Sequence, residues 1–195
     1  MKSALKLLAL SMIGFAPLAA TAEVLTLSPA DPQPNSGALT QGLAVNYAKL
    51  PKNARELAVA KRALAKNGEP GAPIAGLTYD DTAEGAKVLT SDRFELLGAD
   101  ISGYVKFDKP GTYVLDFLTN DGLEIFIGGQ QVGLYDGIHA CGYAGEVQVS
   151  VPKAGYYPLE ATYFQRKGTA CLMMEWGSDP DSLEFVTSDA FFHAK

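Results

Sequence analysis

The sequence predicts an all-β fold, an antiparallel, jelly-roll-like β-sandwich with one inserted helix near residues 53–66. Three observations carry this expectation. From residue 87 onward, apolar and polar residues alternate with a period of two, run after run. The runs are separated by turns, in a chain of 195 residues with 20 Gly and 11 Pro. Before residue 87, a single stretch places apolar residues at helical spacing. At 47% hydrophobic and 19% charged, the chain has enough apolar material to bury the core of one domain.

The N-terminus reads as an address. Lys2 and Lys6 precede an apolar run over residues 7–20, broken by Ser11, Gly14 and Pro17, and Ala20-Thr21-Ala22 offers a small-residue cleavage site. This is the pattern of a signal peptide over residues 1–22, with cleavage after Ala22. The run is too short and broken for a transmembrane anchor, and no second apolar span follows. The expected product is soluble and either secreted or periplasmic. Residues 23–41 read as an extended lead-in, and residues 42–195 as a single sandwich domain opened by a strand at 42–47.

Asn53 followed by Glu56 resembles a capping box, and Leu57, Ala60 and Leu64 share one helical face, stopped by Asn67 and Gly68. Residues 67–86 read as a long loop. Asp108-Lys109-Pro110-Gly111 reads as a hairpin turn between two strands. Beyond it, Tyr113, Leu115 and Phe117 form one face, as do Leu123, Ile125 and Ile127. Val147, Val149 and Val151, then Leu159, Ala161 and Tyr163, then Leu172, Met174 and Trp176 repeat the pattern. One-sided alternation of this kind suits antiparallel sheets packed face to face.

Several functions are disfavoured. With 16 Lys+Arg against 22 Asp+Glu, a net charge of −6 opposes nucleic-acid binding. Two Cys and two His leave little for a zinc site. The hydrolase and zinc-protease motifs are absent, and Gly128–Gly133 lacks the Lys and Ser/Thr of a phosphate-binding loop. No catalytic residue is assigned, and the chain is expected not to be an enzyme. In an exported chain, Cys141 and Cys171 are expected to pair as a disulfide, the alternative being two buried free thiols.

The informative corner is Asn120-Asp121-Gly122, where one strand ends and the next begins. Adjacent oxygen-bearing side chains backed by Gly can present hard ligands to calcium. The same tripeptide is ordinary turn chemistry, and spacing alone leaves both readings open.

Four blocks resemble a known family. They are Gly111-x-Tyr113 with Asn120-Asp121-Gly122, then Ile127 to Val132, then Val151 with Gly155 to Phe164, then Gly168, Ala170, Leu172, Met174 and Trp176. In this order they resemble the protective-antigen-type (PA-fourteen) domain and the related fungal flocculin and GLEYA adhesin domains. The resemblance implies a β-sandwich that often binds glycans. In the adhesin members, two consecutive Asp at the corner and an Asn from a later loop hold a calcium ion that contacts sugar hydroxyls. Carried over, these ligands fall on Asn120, Asp121 and Gln165. Asn120 removes a charge and Gln165 lengthens the reach, so calcium, the one cofactor implied, is expected to bind weakly. Tyr135, Asp136 and His139 form a candidate ligand-binding wall. Tyr135, Tyr143, Phe164 and Trp176 are candidate stacking platforms, with Trp176 more at home in the core. The expected function is a lectin-like module whose partner is a glycan. The competing expectation is a structural or protein-interaction module whose partner is an envelope protein.

Overall fold

The computed structural model describes residues 23–195, so the expected signal segment lies outside the described residues. In chain order the elements are β1 Leu25–Thr26, β2 Leu39–Gln41, β3 Ala44–Lys49, α1 Leu57–Asn67, β4 Glu69–Pro70 and β5 Thr78–Tyr79. They continue with β6 Leu97–Phe107, β7 Gly111–Asn120, β8 Gly122–Ile127, β9 Gln130–Tyr135 and β10 Gly142–Tyr143. The last are β11 Val147–Val151, β12 Gly155–Gln165, β13 Cys171–Gly177, β14 Glu184–Phe185 and β15 Phe191–Ala194.

The strands form two sheets. One runs β1-β11-β7-β13-β14, with β10 beside β7 and β5 beside β13. The other runs β2-β15-β6-β12-β8-β9, with β3 beside β6 and β4 beside β3. The pairings are antiparallel except β1 with β11, which is parallel. The lead-in thus contributes a strand to each sheet, and only its connecting residues are free of pairing.

The main core lies between the sheets. It takes the inward residues of the alternating runs: Leu115 and Phe117, Leu123, Ile125 and Ile127, Val149 and Val151, Leu159 and Tyr163, Leu172 and Met174. A smaller cluster sits on the outer face of the β6–β12 sheet, where α1 packs Leu57 and Ala60 against Leu50, Leu96 and Phe164. Here the period-two rule places Tyr163 in the main core and Phe164 under the helix. Phe164 is therefore fully buried and is no stacking platform.

Two local expectations need correction. The helix starts at Leu57, not at Asn53, because Ala54 is drawn into the small core by a turn in which its N–H donates to Pro51 O. Glu56 stands at the cap without a side-chain hydrogen bond, so the capping box does not form. The Leu57 N–H instead donates to the carboxylate of Asp136, 2.6 Å away and remote in sequence. The second correction concerns residues 108–111. β6 and β7 belong to different sheets, so this turn is an arch across the sandwich and not a hairpin. The same holds at residues 120–122, since β7 and β8 also lie in different sheets.

Candidate functional site

At the second crossing the chain leaves β7 at Asn120 and enters β8 at Gly122, through a cis Asn120–Asp121 peptide. Gly122 is required by close approach: a Cβ there would lie 2.2 Å from the Phe164 ring. Tyr163, fully buried, donates its hydroxyl to Asn120 O at 2.5 Å, and the Asp121 N–H donates to Phe164 O. The C-terminal end of β12 therefore holds the backbone of the corner in place.

Asp121 is 5% exposed. Its carboxylate accepts the N–H of His139 at 3.1 Å and the N–H of Arg166 at 2.7 Å. Burial pushes its pKa up, and the two N–H donors and the nearby charges of His139 and Arg166 offset this only in part. A buried carboxylate of this kind gains from a bound proton or a bound cation.

Asn120 and Gln165 converge on one residue. Asn120 Nδ2 donates to Thr169 Oγ1 at 3.0 Å, and Gln165 Nε2 donates to Thr169 O at 3.1 Å. Their other amide atoms, Asn120 Oδ1 and Gln165 Oε1, are buried with no hydrogen-bond partner. Arg166 Nε is buried and unpartnered as well. Each such atom costs about 1–3 kcal/mol relative to a satisfied one. Nearly all buried polar atoms in folded proteins have partners, and with Thr119 Oγ1 next to Asn120 the group numbers four, which makes this corner the candidate site.

The Cys141–Cys171 disulfide forms, with a Cα–Cα distance of 5.8 Å. Cys171 opens β13 directly opposite Asn120. Cys141 ends the loop that carries His139, so the bridge ties that loop to the corner. Among the described residues, one cluster has metal-ligand character, Asp81 with Cys141 and Cys171. Its two sulfurs are bonded to each other, so it is not a metal site by itself.

Residues 72–188 match the PA14 domain family model, more than half of the chain. The chain belongs to the PA14 domain family. The sequence matches none of the curated proteins. Among solved structures, the PA14 domain of the antifreeze protein MpAFP superposes with a TM-score of 0.67 at 16% identity, over 82% of this chain and 93% of that one. The PA14 sugar-binding domain from an RTX adhesin gives a TM-score of 0.60 at 20% identity, over 80% and 99%. The Epithelial Adhesin 9 A domain from Candida glabrata, in complex with Galβ1-3GlcNAc, gives 0.66 at 14% identity, over 89% and 97%.

In this PA14 domain the expected wall residues separate. Tyr135 stacks on His139, with ring centroids 3.7 Å apart, and His139 Nε2 lies 3.1 Å from Asp121 O. Both therefore stand at the corner, whereas the Asp136 carboxylate is turned to α1. Trp176 packs at the core margin against Phe107 and Tyr113, away from the corner. Sequence reasoning missed Arg166 and Thr169. The signal available was their place in the loop after β12, beside Gln165. A groove of about 810 Å³ on the outer face of the other sheet is lined by Tyr104, Pro158, Glu160 and His193. It contains none of the unpartnered buried atoms, which favours the corner as the site.

Proposed function

We propose that this PA14 domain is an exported, non-enzymatic, lectin-like module that binds a glycan at the Asn120–Asp121 corner, with calcium as a weakly held cofactor. The observation that carries the reading is the pair of buried, unpartnered amide oxygens beside the buried carboxylate of Asp121. Asn120 Oδ1, Gln165 Oε1 and Asp121 form a hard-oxygen set of the type calcium takes. Bound there, calcium would supply a charge to which sugar hydroxyls can coordinate. The set is lean, because calcium usually takes six to eight oxygens, so backbone carbonyls and water would complete it. Affinity on the order of 10⁻⁴–10⁻³ M is expected, as for other extracellular modules. Arg166 Nε is a free donor for a sugar hydroxyl, and the Tyr135–His139 stack offers a flat wall for a sugar's C–H face.

The sugar-binding RTX adhesin domain and the glycan-bound Candida adhesin domain share this fold and support the carbohydrate reading. The disulfide fits an oxidising compartment and, with the N-terminal sequence pattern, supports export. Among the described residues, no helix is long and apolar enough to cross a membrane. Intact mass of exported protein starting at Glu23 would support cleavage after Ala22, and a retained Met1 would defeat it.

A glycan array run with calcium and with chelator tests the function. Calcium-dependent glycan signals are expected. Calorimetry should show calcium heat that Asp121→Ala abolishes and Asn120→Asp tightens by about tenfold, since one charge is added at the ion. No calcium heat in either the wild type or Asn120→Asp would remove the metal. If glycan signals were missing too, the interaction-module reading would replace this one.

A further inference from the structure

A cation at this corner is poorly compensated by the residues named so far. Asp121 brings the one carboxylate, and its immediate neighbour is a cationic residue, Arg166, whose N–H donates to it at 2.7 Å. A further carboxylate approaches from the other side of β13. Asp81 follows β5, whose Tyr79 pairs with Leu172. The adjacent Thr82 clasps the loop between β12 and β13: its N–H donates to Ala170 O at 3.0 Å, and the Ala170 N–H donates to Thr82 Oγ1 at 2.9 Å. Ala170 is next to Thr169, on which the Asn120 and Gln165 amides converge.

An Asp81 carboxylate oxygen lies within 4.8 Å of the Cys141 and Cys171 sulfurs, and Cys171 is the direct cross-strand partner of Asn120. Asp81 itself is exposed, and no ion pair or side-chain hydrogen bond engages its carboxylate among the described residues. It therefore has no visible task in the fold. The unpartnered oxygens of Asn120, 4% exposed, and Gln165, fully buried, are the independent sign that a cation belongs nearby.

We propose that Asp81 is the second anionic residue of the cation site, supplying through space the negative charge that Asn120 does not carry. This rests on the calcium reading above. The selectivity implied is for a divalent cation, because a monovalent ion gains half as much from the same field.

The test is calorimetric titration of the whole chain with calcium chloride, at low and at high salt. Asp81→Asn is expected to weaken calcium binding about tenfold at low salt, while Asp81→Glu keeps near-wild-type affinity. The deficit of Asp81→Asn should shrink at high salt, since a field crossing a solvent-exposed rim is screened. In chelator, Asp81→Asn should melt with the wild type, because the side chain is exposed and unpaired. Equal calcium affinity in wild type and Asp81→Asn, with binding still abolished by Asp121→Ala, would overturn the role of Asp81 and leave the site intact. A deficit that salt does not alter would overturn the through-space assignment. A wild type without calcium heat would overturn both this inference and the metal reading.

Discussion

β7 enters and leaves its sheet through crossings of opposite character. At residues 107–111 the arch is closed upon itself. Lys106 pairs with Asp108 at 2.6 Å, and the Tyr113 hydroxyl donates to Lys109 O. The Phe107 ring lies 5.1 Å from Tyr113 and 5.3 Å from both Tyr157 and Trp176. None of the unpartnered buried side-chain atoms is located there. At residues 120–122 the chain makes the same change of sheet, yet four such atoms gather around it, on Thr119, Asn120, Gln165 and Arg166. One crossing is built to stabilise the fold, and the other leaves stabilisation incomplete in a way that a ligand can complete.

The largest effect should come from the closed end. Phe107→Ala is expected to cost about 3–5 kcal/mol in urea denaturation, as for other buried aromatics, while leaving calcium affinity of the folded protein unchanged. A parallel loss of binding would break the proposed division of labour. Next, replacing both Cys141 and Cys171 by Ala should cost about 3–4 kcal/mol, from the unfolded-chain entropy of a loop with a sequence separation of 30. Unlike Phe107→Ala, this change should also weaken calcium binding, because the His139 N–H that holds Asp121 sits two residues before Cys141.

A smaller loss is expected at Thr169. Thr169→Val removes the hydroxyl that accepts from the Asn120 amide, for about 1 kcal/mol in stability. It should also lower calcium affinity through misplacement of Asn120 Oδ1, both read by calorimetry and thermal melting.

The smallest effect concerns the middle of β7, where Asp116 faces Glu175 directly across the strands. Burial pushes both carboxyls up from their usual range, Asp116 despite N–H donors from Phe117 and Gly145. Their folded pKa values thus exceed the unfolded ones, and the native state holds these protons more tightly. Stability should then fall as pH rises from the ordinary carboxylate range through the raised values, and level off above them. Asp121 acts in the same direction. Asp116→Asn keeps an acceptor for both N–H groups and removes one of two like charges. It should gain about 0.2–1 kcal/mol at neutral pH and flatten the decline, as followed by melting temperature between about pH 4 and pH 7.

Much of this architecture was legible because alternation is a local signal. The faces carrying Leu115 and Phe117, or Leu172 and Met174, are buried as the pattern requires. The disulfide was legible from cysteine count and the expectation of export. What was not legible depends on distant partners. Asp108–Gly111 has hairpin chemistry, but whether flanking strands pair or diverge is decided by the rest of the sheet. The true cap of α1, Asp136, comes from another loop, and no spacing rule reaches it. The corner could be proposed as a site from sequence, but the unpartnered state of Asn120 and Gln165 appears only when their burial and the position of Thr169 are known together.

The position of Trp176 has a consequence for spectroscopy. It is the single tryptophan, and it belongs to the closed end, against Phe107 and Tyr113. Five residues along β13 separate it from Cys171, the cross-strand partner of Asn120, or about 17 Å of extended chain. Indole emission will therefore report the collapse of the aromatic cluster as the protein unfolds and is expected to be little changed by binding at the proposed corner. Binding at the proposed corner is expected to show instead in tyrosine emission, through Tyr135 stacked on His139. The two ends of one sandwich thus place separate chromophores, the indole with the aromatic cluster and a tyrosine beside the proposed site.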